Sequence, residues 1–246
     1  MKFFLLFFSL SVFLSFGYSD NKDIISLVAK EEKDEEKVDT LKSRTISILS
    51  LGDSYTIGES VCAPCKFPEQ LKERLLSGFK SDTSIDLKVV ARTGWTTTNL
   101  ISAIDSENID NSYNLVTLLI GVNNQYQNKP FSLYELEFPA LVTTAIKKAK
   151  SDSSKVIVVS IPDYAYTPFG RGDIKISNAI DKYNAFAENY CIKNDVSFIN
   201  ITDITREGLK NKDLVASDGL HPSELAYSKF VERILPVAIS KLENEP

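Results

Sequence analysis

Short apolar runs alternate with longer amphipathic segments along most of this chain. The runs are rich in Val, Ile and Leu and nearly continuous in apolarity, which is typical of strands buried on both faces of a parallel sheet. They cover residues 45–51, 87–91, 115–120, 156–161 and 196–201. The pattern predicts five buried strands.

The segments between these runs carry helical spacing. Phe67, Leu71 and Leu75 fall on one face of a helix, with Pro68 near its start. Further helices are predicted over 133–149, 180–192 and 223–242. Repeated strand–helix alternation predicts an α/β fold, a three-layer α/β/α sandwich around a central, mainly parallel five-stranded sheet. We expect a single domain over 45–246.

The N-terminal residues have the pattern of an export signal. Lys2 is followed by an apolar run over 3–16, shorter than the ~20 residues that a spanning helix needs. Residues 1–19 are therefore predicted to be a signal peptide for periplasmic or secreted export, with an uncleaved membrane anchor as the alternative. The strongly charged stretch 20–44 has too few apolar residues to bury a face and is predicted to be a linker.

Composition narrows the range of partners. The formal net charge is −5, which argues against a nucleic-acid footprint. We expect a monomer that acts on a small molecule. Contact with a membrane is expected only through an uncleaved N-terminal segment or a lipid substrate.

The residues with candidate chemistry follow the predicted strands. The chain has one histidine, His221, and Asp218 lies three positions before it. Ser54 follows the first strand, Gly94 the second and Asn123 the third. Because the carboxyl ends of parallel strands meet at one edge of a sheet, we expect these groups to lie close together.

These motifs resemble the blocks of the SGNH hydrolases, also called GDSL esterases and lipases, whose fold is flavodoxin-like. The resemblance spans about residues 46–240. The matching blocks are Gly52-Asp53-Ser54-Tyr55, Gly94, Gly121-Val122-Asn123-Asn124 and Asp218-Gly219-Leu220-His221-Pro222. Two positions depart from the family pattern: Tyr55 stands where Leu is common, and Asn124 where Asp is usual.

The resemblance implies a role for each matched residue. Ser54 is the nucleophile, His221 the base, and Asp218 the group that orients the imidazole. The amides of Ser54 and Gly94, with the Asn123 side chain, form the oxyanion hole. No cofactor or metal is needed.

The implied activity is that of an exported serine esterase working through an acyl-enzyme. Its substrate is left open between short-chain or lysophospholipid-type esters and acetylated glycans. Five aromatic residues are candidates for the pocket wall: Tyr126, Phe131, Tyr164, Tyr166 and Phe169. Trp95 is equally consistent with the core and with the pocket.

The cysteines suggest an alternative function. Cys62-Ala63-Pro64-Cys65 resembles the motif of a thiol–disulfide oxidoreductase. The Gly-Asp-Ser turn separates this motif from the first strand, so a structural disulfide is favoured in an oxidising compartment. Cys191 is predicted to be a buried thiol on the inner face of a helix.

Overall fold

The computed structural model of this protein describes residues 44–243. The predicted signal peptide and all but the last residue of the predicted linker lie outside the described residues and stay predictions. Within the described part, the parallel strands are β1 (Arg44–Gly52), β2 (Thr83–Ala91), β3 (Leu115–Leu119), β4 (Val156–Val159) and β5 (Ser197–Ile199). The sheet order is β2-β1-β3-β4-β5.

Helices flank this sheet on both faces. They are α1 (Ser54–Ile57), α2 (Phe67–Gly78), α3 (Thr97–Ser106), α4 (Val122–Tyr126), α5 (Phe131–Lys148), α6 (Ile174–Lys193), α7 (Thr202–Thr205) and α8 (Glu224–Glu243). The crossover from β1 to β2 runs across the sheet in the opposite direction to the later ones. Right-handed crossovers therefore place α2 on one face and α3, α5 and α6 on the other. Helix α8 packs on α2, and the predicted three-layer α/β/α architecture is confirmed.

The interior strand β1 explains why the apolar runs are so continuous. Ile46, Ile48, Leu49 and Leu51 are all at most 1% exposed, although neighbouring side chains point to opposite faces. Both faces of β1 are thus covered, as the sequence predicted.

The register of the three neighbouring strands positions the site. Gly52 at the end of β1 pairs with Ala91 of β2 and Leu119 of β3. The loops that follow these strands therefore leave the sheet at the same level. The chain goes from β1 to one neighbour and later returns to the other, which creates the crevice where ligands bind in open α/β sheets.

Several element boundaries differ from those predicted. Strand β2 begins at Thr83 rather than at 87, because an edge strand accommodates the polar residues that precede Leu87. Strands β4 and β5 are shorter than predicted. Helix α6 begins at Ile174 rather than at 180, because the Asp173 side chain accepts a hydrogen bond from the Lys175 amide and caps it there.

Candidate active site

Ser54 is the first residue of the single-turn helix α1, directly after β1. The Asp53 side chain accepts a hydrogen bond from the Tyr55 amide at 3.0 Å and so caps this turn. Ser54 is nearly buried but borders an open cleft. The turn thus presents the Ser54 hydroxyl at the carboxyl edge of the sheet.

His221 and Asp218 lie on one tight loop that precedes α8. The Nδ1 atom of His221 is 2.6 Å from Oδ2 of Asp218. The other carboxylate oxygen, Oδ1, accepts hydrogen bonds from the amides of Leu220 at 2.9 Å and His221 at 3.0 Å. Gly219 adopts a φ of 72°, the left-handed conformation that lets the loop fold back on itself.

The hydrogen bonds around Asp218 determine its charge. Partial burial alone raises the pKa of this carboxyl, but hydrogen bonds from the His221 ring, the Ser60 hydroxyl and two amides outweigh burial. Together they hold the pKa of Asp218 well below its usual range. The carboxylate is therefore ionised at neutral pH and only accepts hydrogen bonds. Nδ1 of His221 then carries the shared proton, which leaves Nε2 free to accept one.

One cleft with a volume of about 210 Å³, partly open to solvent, brings the predicted residues together. Ser54, Gly94, Asn123 and His221 all line it. Between these described residues the structure records no hydrogen bond from the Ser54 hydroxyl to the His221 ring.

The two loops that supply Gly94 and Asn123 are bonded to each other. The Asn123 side-chain amide donates to the Trp95 carbonyl at 3.0 Å, and the Gln127 side-chain amide donates to the Gly94 carbonyl at 2.9 Å. One N–H of the Asn123 side chain is thus bonded to Trp95, and the second N–H of this primary amide can donate to another acceptor. Trp95 packs half-buried against the core and is not part of the cleft wall.

Gly121 permits the turn that places Asn123. Its φ is 129°, and a Cβ atom there would stand 2.6 Å from the Tyr134 ring and 2.9 Å from Ile161. Only glycine fits this position, because both the backbone conformation and the available space exclude a side chain.

The unusual Asn124 has a clear structural role. Its Oδ1 accepts from the Thr97 amide at 2.9 Å, and its Nδ2 donates to the Thr97 hydroxyl at 2.6 Å. That hydroxyl in turn donates to Glu137 of α5. An aspartate at 124 has no N–H to give, so it and Glu137 would compete for a single hydroxyl proton.

Aromatic rings form one wall of the cleft. Tyr126 and Phe169 are about half exposed, and the centres of their rings are 6.1 Å apart. Each ring also packs against the ring of Tyr164. The Tyr164 hydroxyl donates to Gln125 Oε1 at 2.8 Å.

Two of the aromatic candidates do not line this cleft. Phe131 lies at the start of α5 and packs instead against Tyr183, 4.9 Å between ring centres. Tyr166 is also absent from the wall. Helical side-chain direction and loop geometry decide these placements, and neither can be read from residue type.

An ion pair between the buried Asp163 and the partly exposed Arg206 supports the loop that carries Tyr164. The Asp163 carboxylate is fully buried and accepts from Arg206 Nε at 2.9 Å and from the Ser177 hydroxyl. Its other oxygen caps the turn at Ala165. These contacts connect the aromatic wall to α6 and to the end of α7.

Cys62 and Cys65 are joined by a disulfide across a single turn of 3₁₀ helix. Cys65 is buried against the start of α2. Cys191 is a free, fully buried thiol, and burial raises its pKa to about 12. Its environment does not favour the reactive thiolate.

Other kinds of site receive no support from residues 44–243. In this range no three His, Cys, Asp or Glu side chains gather in a way that could hold a metal ion. Across the same range, every helix is too short or too polar to cross a bilayer.

A comparison of the sequence with family models identifies one family. The model of the GDSL-like lipase/acylhydrolase family matches residues 50–229. No curated protein matches the sequence of this chain.

Solved structures resemble this fold at low sequence identity. The lipase/acylhydrolase from Enterococcus faecalis superposes with a TM-score of 0.61 at 20% identity, covering 82% of this chain and 98% of its own. An acetyl xylan esterase from Geobacillus stearothermophilus gives a TM-score of 0.60 at 17% identity, covering 78% and 94%. A psychrotrophic esterase from Pseudoalteromonas sp. gives 0.56 at 16% identity, covering 80% and 99%.

Proposed function

Because this chain belongs to the GDSL-like lipase/acylhydrolase family and is therefore a hydrolase of ester bonds, we propose that it acts through a covalent acyl-enzyme on Ser54. The observation that carries this proposal is the shared cleft: residues separated by more than half the chain, Ser54 and His221, border the same space. The His221–Asp218 pair at 2.6 Å supplies the orienting carboxylate that a base of this kind needs.

In the first step, Ser54 Oγ attacks the ester carbonyl carbon while Nε2 of His221 takes the hydroxyl proton. The carbonyl oxygen becomes an oxyanion, which the amides of Ser54 and Gly94 and the side chain of Asn123 stabilise. As the tetrahedral intermediate collapses, the C–O bond to the alcohol breaks and the imidazolium returns its proton to the leaving oxygen.

In the second step, a water molecule takes the place of the alcohol. His221 accepts a proton from this water as it attacks the acyl carbon. The bond to Ser54 then breaks, the Ser54 oxygen recovers the proton and the acid leaves. Asp218 stays ionised throughout and stabilises the imidazolium each time it forms.

The cleft wall favours an apolar acyl group. Val122, Leu220 and the rings of Tyr126, Tyr164 and Phe169 surround the space beside Ser54. Contact with apolar side chains of this kind removes a hydrocarbon chain from water, which stabilises binding by about 25 cal/mol per Å² of buried apolar surface. We propose lipolytic esters, of the short-chain or lysophospholipid type, as the substrate class. Acetylated glycans are the competing class, since aromatic rings at a cleft mouth also pack against sugars.

Residues 1–19 are proposed to export the enzyme before it acts. A basic start, an apolar run and small residues near 15–19 support this proposal. N-terminal sequencing of the protein from the exported fraction tests it, and a mature chain that begins between residues 16 and 21 is expected. An intact N-terminus in the cytoplasmic fraction contradicts it.

A chain-length series of p-nitrophenyl esters tests the enzymatic proposal, with acetylated xylo-oligosaccharides assayed in parallel. We expect kcat/KM to rise from acetyl toward longer acyl chains, and Ser54→Ala to abolish turnover of every ester. Ser77→Ala is the matched control, because Ser77 is an exposed helical serine whose hydroxyl donates to the Glu73 carbonyl of its own helix. Near-parental rates in Ser54→Ala contradict the acyl-enzyme. A preference for the acetylated sugar contradicts the substrate class alone.

A further inference from the structure

Ser60 makes a contact that no sequence motif predicts. It lies in the loop between α1 and the Cys62–Cys65 disulfide, and its hydroxyl donates to Oδ2 of Asp218 at 2.7 Å. The same oxygen is 2.6 Å from Nδ1 of His221. Ser60 therefore touches the atom through which Asp218 acts on the imidazole.

The four hydrogen bonds of Asp218 come from two parts of the chain. The two amides that hold Oδ1 belong to the loop of Asp218 itself, at Leu220 and His221. Oδ2 has two partners: the His221 ring, on that same loop, and the Ser60 hydroxyl. Ser60 lies on the other part of the chain, six residues after Ser54. The Ser60 hydroxyl is thus a direct connection between the segment carrying Ser54 and the segment carrying Asp218 and His221.

The backbone of Ser60 lies in the left-handed region that favours glycine. Its φ is 64°, a conformation that costs a residue with a Cβ atom some strain and that glycine adopts freely. Serine differs from glycine at such a position by the hydroxyl that it brings. Here that hydroxyl faces Asp218.

The residues around Ser60 hold its loop in place. The side chain of Glu59 accepts a hydrogen bond from the Thr93 hydroxyl, next to Gly94. Two residues beyond Ser60, the disulfide closes the following turn. The loop is therefore fixed on one side to the Gly94 segment and on the other to the base of α2.

From these contacts, we propose that Ser60 is a positioning residue of the active site, whose hydroxyl holds the Asp218 carboxylate at the angle at which it orients His221. The proposal rests on the proposed function of Ser54 and His221. Without the hydroxyl, Oδ1 keeps its two amide donors and Oδ2 keeps only the His221 ring, so the carboxylate turns away from Nδ1 more easily. The imidazole then spends less time in the orientation that accepts the serine proton.

The kinetic consequence is a loss in kcat with little change in KM, because the wall of the cleft is formed by other residues. A hydrogen bond to a charged group that acts only through orientation is expected to change kcat by about tenfold.

Ser60→Gly is the most direct variant, since glycine accepts a φ of 64° and loses only the hydroxymethyl group. Ser60→Ala is made beside it, Ser77→Ala serves as the control, and Ser54→Ala reports on the proposed function itself. We expect Ser60→Gly and Ser60→Ala to lose about tenfold in kcat at unchanged KM, with Ser60→Gly melting close to the parent. Ser77→Ala keeps the parental kcat.

The NMR signal of the single histidine distinguishes a positioning role of Ser60 from a purely structural one. The proton NMR spectrum of the parent is expected to contain one far-downfield signal, from the Nδ1 proton that His221 shares with Asp218. In Ser60→Gly this signal is expected to broaden through faster exchange with water. Parental kcat or an unchanged signal in Ser60→Gly overturns the proposal, as does a loss seen only in Ser60→Ala. Retained turnover in Ser54→Ala instead overturns the proposed function.

Discussion

Asp218 and His221 form a hydrogen-bonded pair within four consecutive residues, with Oδ2 and Nδ1 2.6 Å apart. The glycine between them, at a φ of 72°, makes so local a pair possible. A local pair needs no distant strand to supply the carboxylate, so the whole base unit is carried by one loop at the start of α8.

Replacement of Asp218 by asparagine tests this pair. An asparagine amide can present an N–H to Nδ1 and stabilise the wrong tautomer, which places the ring proton on Nε2. We expect kcat to fall by about 10³–10⁴-fold with the fold intact, measured on the best p-nitrophenyl ester. Asp105→Asn, on the exposed face of α3, is the matched control. A loss of less than tenfold in Asp218→Asn contradicts the role given to the carboxylate.

The buried carboxyl of Asp53 is expected to make the free energy of unfolding depend on pH. It is fully buried, and desolvation raises its pKa to about 7, against the partial effect of the Tyr55 amide. Its Oδ2 is a buried oxygen with no hydrogen-bond partner among residues 44–243. A carboxyl group whose pKa is raised by folding stabilises the fold at pH values below its pKa in the unfolded chain, near 3.9. This contribution is lost as the pH rises through the pKa of the group in the folded protein.

The corresponding experiment compares Asp53→Asn with the parent by urea unfolding at pH 5 and pH 8. Asparagine keeps the acceptor for the Tyr55 amide and has no charged form to desolvate. We expect the stability of the variant relative to the parent to increase from pH 5 to pH 8, on the order of 2 kcal/mol. A difference that is the same at both pH values contradicts the raised pKa.

Asn124 and Glu137 should be energetically coupled through Thr97. Asn124→Asp removes the N–H given to the Thr97 hydroxyl and adds a buried negative charge, so we expect a loss of about 2–3 kcal/mol in the free energy of unfolding. Glu137→Gln removes the competing carboxylate and should restore part of that loss in the double variant. Strictly additive effects in this cycle contradict the coupling.

Much of the fold and the site could be predicted from the sequence. The apolar runs identify the strands because both faces of the sheet are covered, and the residues that follow β1, β2 and β3 reach one cleft because those strands end at the same level. The edge strands were predicted less well, since β2 begins with polar residues that only an edge tolerates.

Contacts between loops could not be predicted. Ser60 reaches Asp218 across 158 positions, with no spacing or residue type to mark the pair. The role of Asn124 likewise depends on Glu137, because both residues bond to the Thr97 hydroxyl and Glu137 lies on a different helix. Side chains such as Phe131 turn to the core or to the cleft according to a helix phase that residue type does not fix.

Removal of the disulfide distinguishes a structural role of Cys62 and Cys65 from a redox role. The double variant Cys62→Ser, Cys65→Ser removes a very short covalent loop, so we expect a loss of about 2 kcal/mol and a melting temperature lower by roughly 4–8 °C. The parent should be inactive in an insulin-reduction assay, because the pair belongs to a structural turn. Insulin reduction that disappears in the double variant would instead support the oxidoreductase alternative.

Covalent labelling tests the central claim most directly. A fluorophosphonate reacts with an activated serine, and peptide mass spectrometry then locates the adduct. The account predicts one adduct per chain, on Ser54, formed at the rate at which ester turnover is lost and absent from Ser54→Ala. An adduct on another residue, or full ester turnover in a protein labelled at Ser54, would contradict it.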